Sequence, residues 1–337
     1  MREPFYRSLE HLLPWPATAK PLDAAGVFGR HAPLELEIGP GNGEYLAAMA
    51  AERSAHDFLA VELLWGRVKK CLRKLGGARL TNARLVCGNI GPVLAYLVPP
   101  RSLHAVHTLF PCPWPGDAAG AHRLYRADFL RLVNSRLVDG GRITLVTDNR
   151  PYFDWVLEQL PGTGFDGRTH AVGADYGTKF ERKWVGGGQE RFHRLDLVKT
   201  EHQDLPLSPE VPMRSHVLSG FDPGAFQLPH RVLSGSGADP ETDAVTGGVT
   251  RVVGRELLYD PARRQGLVRM VVVEPGLSQE LWIEIAGMAD GRFRVAPARA
   301  CHALLTDGVQ LAVDAVAQAA GLAVVGGAQV DEVPSVL

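Results

Sequence analysis

The stretch LELEIGPGNGEYL, residues 34–46, decides how this chain is read. A short apolar run, LELEI (34–38), breaks into glycines at alternate positions, Gly39, Gly41 and Gly43. A segment with helical spacing, GEYLAAMAAERS, then begins. Glycine lets the chain turn sharply and brings bare backbone against a ligand, and the start of a helix presents unpaired N–H groups. Glu37 sits, with Glu35, on a strand otherwise made of Leu34, Leu36 and Ile38, where a buried acid needs a partner. A glycine-rich loop alone is a weak signal; a strand before it and a helix after it strengthen the reading.

Working outward, further short apolar runs follow at FLAVE (58–62), ARLVC (83–87), AVHTLF (105–110) and RITLVT (142–147). Between them lie the helix-period segments LWGRVKKCLRKL, VLAYL and YRADFLRLVNSRLV, the last expected to stop at Asp139-Gly140-Gly141. This alternation predicts a parallel sheet with helices on both faces. A helix over YFDWVLEQL follows Pro151, and TKFERKW and FHRLDLVK, separated by three glycines, predict an antiparallel strand pair.

After Lys199 the character changes. LPLSPEVPMRSHVLSGFDPG reads as a proline- and serine-rich connector, and SGSGADPETDAVTGG as a loop. Meander strands are expected at TRVVGRELLYD, LVRMVVVE, ELWIEIAG and RFRVAPA, with a tight turn at Asp290-Gly291. A helix over 309–321 and a short strand, LAVVGG, complete the pattern. The expected division is therefore an α/β domain over 1–204 and a second, smaller α+β domain over 205–337.

Glu62 ends the strand after the glycine loop, about twenty residues on, where a carboxylate can accept hydrogen bonds from ribose hydroxyls. Nicotinamide cofactors and S-adenosyl-L-methionine share that geometry. An acid just ahead of the first glycine, as in E-I-G-x-G-x-G, favours the methyl donor. Gly88 and Asn89, after the third strand, are placed to meet an adenine edge, although Asn89 serves equally well as a turn residue.

Composition narrows the classes. A hydrophobic content of 45% with 22% charged residues over 337 residues argues against wholesale disorder. No apolar run is long enough to span a membrane, and the start lacks the order of a secretion signal, so a cytoplasmic protein is expected. Four scattered cysteines offer no metal or disulfide framework. The net charge of −1 hides an asymmetry: residues 1–200 carry 26 Lys+Arg against 20 Asp+Glu, the remainder 10 against 17. A moderately basic front half is compatible with nucleic acid and equally with an ordinary surface. The composition is also compatible with a homo-oligomer.

Several pieces together resemble the bacterial tRNA guanine-N7 methyltransferases over about residues 25–200: FGRHAPLELEIGPGNGEYL, FLAVE, FPCPWP (110–115), GGRITLVTDN and TKFE (178–181). The resemblance implies a class I, Rossmann-like core with a seven-stranded sheet and S-adenosyl-L-methionine as donor. It implies that Glu37, Gly39, Gly41, Gly43, Glu62 and Asn89 hold the donor. Asp148, Thr178 and Glu181 are implied at the acceptor side, with Asp148 and Glu181 as candidate catalytic carboxylates. Trp114 is a candidate for stacking on the base and Arg123 for substrate contact. His107, on a buried-looking strand, reads as a core histidine.

Two departures fall in one loop. Cys112 stands where the family's F-P-D-P-W has an acid, and the dense basic run that follows in the family is reduced to Arg123 and Arg126. Cys112 is a candidate catalytic thiol, because cytosine-C5 methyltransferases use a Pro-Cys pair in the loop after the same strand. The better reading is a neutral pocket wall, since such a thiol needs neighbouring positive charge and nothing adjacent supplies it unless His107, His122 or Arg123 folds back. Guanine N7 carries a free lone pair, so the reaction needs alignment and a carboxylate near the growing positive charge rather than a base. Alternatives are methylation of a small nitrogen heterocycle, or a catalytically silent subunit that binds the donor and RNA.

Overall fold

The computed structural model describes residues 8–114, 122–234, 249–299, 302–322 and 330–334. The chain folds into two compact units, Met1–Ser208 and Pro209–Leu337.

The first unit is built on strands β1 (Leu34–Ile38), β2 (Asp57–Glu62), β3 (Ala83–Cys87), β4 (Leu103–Leu109), β5 (Leu137–Thr147), β6 (Phe165–Val172) and β7 (Phe192–Lys199). They form one sheet in the order β3-β2-β1-β4-β5-β7-β6, parallel except for β7, which runs against both its neighbours. This is the expected class I methyltransferase sheet. Every residue of β1 and β2 is buried, as a parallel sheet covered on both faces requires. Helices α1 (Ala24–Phe28), α2 (Glu44–Glu52), α3 (Trp65–Gly77), α5 (Ala127–Arg136), α6 (Arg150–Glu158) and α7 (Lys179–Gly186) connect the strands. Between β3 and β4, α4 (Ile90–Pro92) runs on into a π-helical turn over Val93–Leu97. One apolar cluster joins Leu46, Met49, Val68, Leu72 and Leu75 of α2 and α3 to Phe58, Ala60 and Leu85 of the sheet.

Three expectations are corrected in this unit. TKFERKW is helix α7, not a strand, because Thr178 is an N-cap whose hydroxyl accepts from Glu181 N at 3.1 Å. The antiparallel partners of β7 are β5 and β6 instead. Helix α5 ends at Arg136, and Asp139-Gly140-Gly141 lies inside β5, which starts early because buried Leu137 pairs with Leu103 of β4.

Residues at both ends of the unit are tied down in ways the sequence did not suggest. Leu85 N of β3 donates to His11 O at 2.7 Å and Leu13 N to Leu85 O at 2.9 Å, so residues 11–13 run along the outer side of β3. Trp15 is buried against Gly88, where a Cβ would come within 2.9 Å of Trp15 Nε1. At the other end, fully buried Arg136 donates to Leu94 O at 2.8 Å, Leu205 O at 2.5 Å and Pro206 O at 3.2 Å. Asn134 accepts from Gln203 N at 2.9 Å and donates to Glu201 O at 2.9 Å. Residues 201–206 are therefore fixed to the first unit by buried polar groups.

The second unit holds β8 (Arg214–Leu218), β9 (His230–Ser234), β10 (Val249–Asp260), β11 (Gln265–Glu274), β12 (Leu277–Gly287), β13 (Phe293–Pro297), α8 (Asp307–Leu322) and β14 (Val330–Pro334). Its sheet, in the order β14-β8-β13-β12-β11-β10-β9, is antiparallel throughout the described pairings. Alternate residues such as Val268, Met270, Val272, Leu281, Ile283 and Ile285 pack on Val309, Ala312, Val313 and Val316 of α8. The stretch expected as a connector contains β8, a correction: Ser215 to Leu218 are buried and pair with β13 and β14 despite the flanking prolines. The loop expected at 234–248 lies, beyond Ser234, outside the described residues. So do Cys301 and the strand expected at LAVVGG beyond Leu322.

Candidate active site

The glycine loop leaves β1 with Gly39 N donating to Val61 O at 2.9 Å. Gly39, Gly41 and Gly43 all have positive φ. A Cβ on Gly39 would meet nothing within 4 Å and one on Gly41 only the Gly39 carbonyl at 4.0 Å, so these two glycines keep open space in front of the sheet. Gly43 differs: it caps α2, and a Cβ there would press on Cys71 of α3. Its place is in the packing of two helices. Glu62, buried at the end of β2, accepts from Gly41 N at 3.1 Å and from Leu64 N at 3.0 Å, binding the loop to the start of α3.

Two adjoining cavities open at the carboxyl ends of the strands, of about 470 Å³ and 290 Å³. They share Gly39, Arg67 and the β4 exit Leu109–Cys112 as walls. The smaller is lined by Glu62, Gly88, Asn89 and Trp114, the larger by Glu37, Gly41, Asp148 and Thr178. The expected cofactor residues are thus divided between two connected chambers, with Gly43 outside both.

Two glutamates on β1 have opposite electrostatics. Glu35 is 1% exposed and meets His107 Nε2 at 2.7 Å, His56 Nδ1 at 2.6 Å and an Arg53 guanidinium nitrogen at 2.9 Å. Burial alone would raise its pKa, but His107, His56 and Arg53 outweigh burial and hold it down at about 2. Glu37, 2% exposed, is pushed up to about 8 by burial and then by the charges of Glu44 and Glu62. Among the described residues its Oε2 has no hydrogen-bond partner. His107 is a core histidine, as expected, bonded through one nitrogen and with the other, Nδ1, also lacking a partner among the described residues.

On the far wall, Asp148 follows β5 and lines the larger cavity, with Asn149 capping α6 by accepting from Tyr152 N at 2.8 Å. Thr178 lines the same cavity while it caps α7. Glu181 is 2% exposed, accepts from Tyr176 N at 2.9 Å, and is not among the residues that line the cavity. It fixes the backbone ahead of α7. Cys112 is exposed and lines both chambers. Trp114, 44% exposed, lies 5.2 Å from the His122 ring. Arg123 donates to Pro113 O at 3.1 Å and covers the Trp155 ring at 4.9 Å, so it secures the loop end.

The sequence reading missed the positive wall of the cleft. Arg67 and Lys70 from α3 and Lys179 from α7 line the larger cavity, with Phe180 and Trp184 beside them. The Arg67 guanidinium approaches the Phe180 ring at 5.8 Å, and Lys183 lies over Trp184 at 4.6 Å. A signal was present: Arg67 and Lys70 are one helical turn apart directly after the Glu62 strand. Lys179 and Phe180 lie inside T-K-F-E itself.

A sheet in which only β7 is reversed, a glycine loop opening α2 and an acid ending β2 define a methyltransferase of class I. The family model described as "Putative methyltransferase" matches residues 31–193. The chain is 36% identical over 169 residues to the tRNA (guanine-N(7)-)-methyltransferase of Chlorobium phaeobacteroides, covering 50% of this chain and 83% of the relative. It is 32% identical over 314 residues to that of Thermus thermophilus, covering 90% of this chain and 95% of the relative. With that of Deinococcus radiodurans it shares 33% identity over 298 residues, 85% of this chain and 88% of the relative. The chain belongs to the tRNA (guanine-N(7)-)-methyltransferase family. A match over 90% of the chain also takes in most of the second unit, which the motifs alone did not reach.

Proposed function

We propose that the protein transfers a methyl group from S-adenosyl-L-methionine to N7 of a guanine in tRNA, and acts in the cytoplasm where tRNA is found. The observation that carries the reading is the pair of joined chambers, one walled by Glu62 and Asn89, the other by basic and aromatic side chains. The residues present fit the donor. Open backbone at Gly39 and Gly41 suits close approach of a ligand, and the partnerless Oε2 of Glu37 suits its ammonium group. Glu62 and Asn89 would hold the adenosine, Glu37 the methionine end, and Gly43 would keep α2 in place. S-adenosyl-L-methionine supplies the transferable methyl group.

The chain's own part is alignment and charge. Asp148 supplies a carboxylate to the larger cavity, where it would face the positive charge that grows on the guanine ring. Cys112 contributes a neutral wall, and Trp114 offers a stacking face at the rim. Thr178 and Glu181 hold the start of α7 and so position Lys179 and Phe180. Arg67, Lys70 and Lys179 provide the phosphate contacts that the neutral loop after Cys112 lacks. They are the reason to prefer RNA over a small heterocycle.

Labelled donor incubated with unmodified tRNA and, separately, with a metabolite extract tests this reading, with nucleoside mass spectrometry locating the methyl. Label on guanine N7 in tRNA is expected. Label in the small-molecule fraction alone rejects it.

A further inference from the structure

Trp15 is buried and lines neither chamber, whereas Gly88, against which it packs, lines the smaller one with Glu62 and Asn89. A Cβ on Gly88 would stand 2.9 Å from Trp15 Nε1, 3.5 Å from Cε2 and 3.7 Å from Cδ1. The edge of the indole therefore fills the space of the side chain that Gly88 lacks, and the Gly88 backbone is left as chamber wall. From the other side, Gly88 N donates to Glu62 O at 3.0 Å, and the Glu62 carboxylate accepts from Gly41 N at 3.1 Å. Direct contacts thus run from the indole through Gly88 and Glu62 to the glycine loop.

The segment that carries the indole is stiff and pinned on both sides. Pro14 and Pro16 flank Trp15, each with a ring that fixes its φ. Before it, Leu13 N donates to Leu85 O at 2.9 Å, and His11 Nδ1 lies 3.2 Å from Ala83 O. After it, Lys20 Nζ donates to Pro16 O at 2.9 Å and Leu22 N to Leu97 O at 2.8 Å. Covering the edge of β3 needs only the hydrogen bonds to Leu85. Trp15 reaches past Cys87, the last residue of that strand, to the turn that walls the chamber.

We propose that Trp15 is a positioning residue for the methyl donor: it holds the Gly88 turn from behind and so sets the depth of the adenosine end of the site. This rests on the reading that Glu62 and Asn89 hold the adenosine. Asn89 follows Gly88 directly and accepts from Gly91 N at 3.1 Å, so a shift of the turn carries Asn89 and the start of α4 with it. Coupling between two sites is reciprocal. Docking of residues 11–17 tightens the donor, and the bound donor fixes residues 11–17.

Calorimetry of S-adenosyl-L-methionine binding to the full chain and its variants tests this. Trp15→Phe shortens the ring behind Gly88 and is expected to weaken the donor about tenfold. Gly88→Ala presses its methyl on the indole and is expected to weaken the donor at least as much. In the double variant the smaller ring makes room for the methyl, so it should bind the donor more tightly than Gly88→Ala alone, a coupling that two independent losses do not produce. Adenosine, added as a competitor, should lose affinity by the same factor as the donor in each single variant. Hydrogen exchange of the wild-type chain gives a second readout, with the amides of Leu13 and Leu85 slowed once the donor is bound. If Trp15→Phe does not fold, that exchange decides. Unchanged donor affinity in both single variants, additive losses in the double variant, or exchange at Leu13 and Leu85 indifferent to the donor overturns the coupling while the donor reading stands. A wild-type chain that binds neither the donor nor adenosine overturns both.

Discussion

Gly43 lies so close to Cys71 that a Cβ on it would stand 3.0 Å from the sulfur and 3.1 Å from the Cys71 Cα. The third glycine of the motif is thus set by the approach of α2 to α3, and its φ of 76° adds a second reason for glycine. Gly43→Ala is expected to lower stability by about 1–3 kcal/mol, measured by urea unfolding. An alanine variant as stable as wild type would show that the two helices can part without cost.

Arg136 is a buried cation whose hydrogen bonds run to Leu94, Leu205 and Pro206 carbonyls and the Ser135 hydroxyl. Burial pulls its pKa down to about 10. Arg136→Met leaves those carbonyls without donors and is expected to cost about 3 kcal/mol, with faster proteolysis near residues 205–208. Unchanged melting and cleavage would remove it as the anchor of this segment.

Glu35 and Glu37 predict opposite pH slopes. Glu35 is held at about 2, below its unfolded value, so its stabilisation is full above the ordinary carboxylate range and is lost as pH falls toward 2. Glu37 is raised to about 8, so its contribution is full below the ordinary range and is lost as pH rises through 8. Glu35→Gln should therefore cost about 3 kcal/mol near pH 7 and much less near pH 2. Glu37→Gln should be more stable than wild type at pH 9 and no more stable at pH 4. Parallel pH profiles for the two variants would contradict the assignments.

Cys112 lines both chambers as an exposed thiol, and no basic side chain is bonded to it among the described residues. Cys112→Ser should keep the methylation rate, and Cys112→Asp should match it or raise it by up to ~100-fold. Loss of all activity in the serine variant would make the sulfur a nucleophile.

Lys70 and Lys179 reach the larger cavity from different helices. Each change to Gln should weaken tRNA binding and reduce the slope of log affinity against log salt by about 1. An unaltered salt slope in the double variant would move the RNA path elsewhere.

Strands β1 and β3 were legible residue for residue, because a fully buried parallel strand must be a short apolar run between turn signals. Glu62 and Asn89 could be placed at the cleft because they follow strands of that sheet, whereas Asp148 was reached only through the family resemblance; all three line the cavities. The α7 helix was not: T-K-F-E is a capping pair, but the glycines after it resemble a hairpin and the segment is too short for a clear period. β8 was hidden by flanking prolines, which lie outside the five residues that pair. The positive wall was hidden because Arg67 and Lys179 are more than a hundred residues apart in sequence. The pairing of Glu35 with His107 needed the register of β1 and β4, which no local pattern encodes.

The run of residues 11–13 along β3 has a consequence for the life of the chain outside its native state. β3 is the last strand on its side of the sheet, and a bare last strand is a template on which another chain can add. Leu13 and His11 occupy that template, and Trp15 seals its end against Gly88. Loss of the first fifteen residues would uncover an apolar, hydrogen-bonding rim and make that edge of the sheet a seed for aggregation.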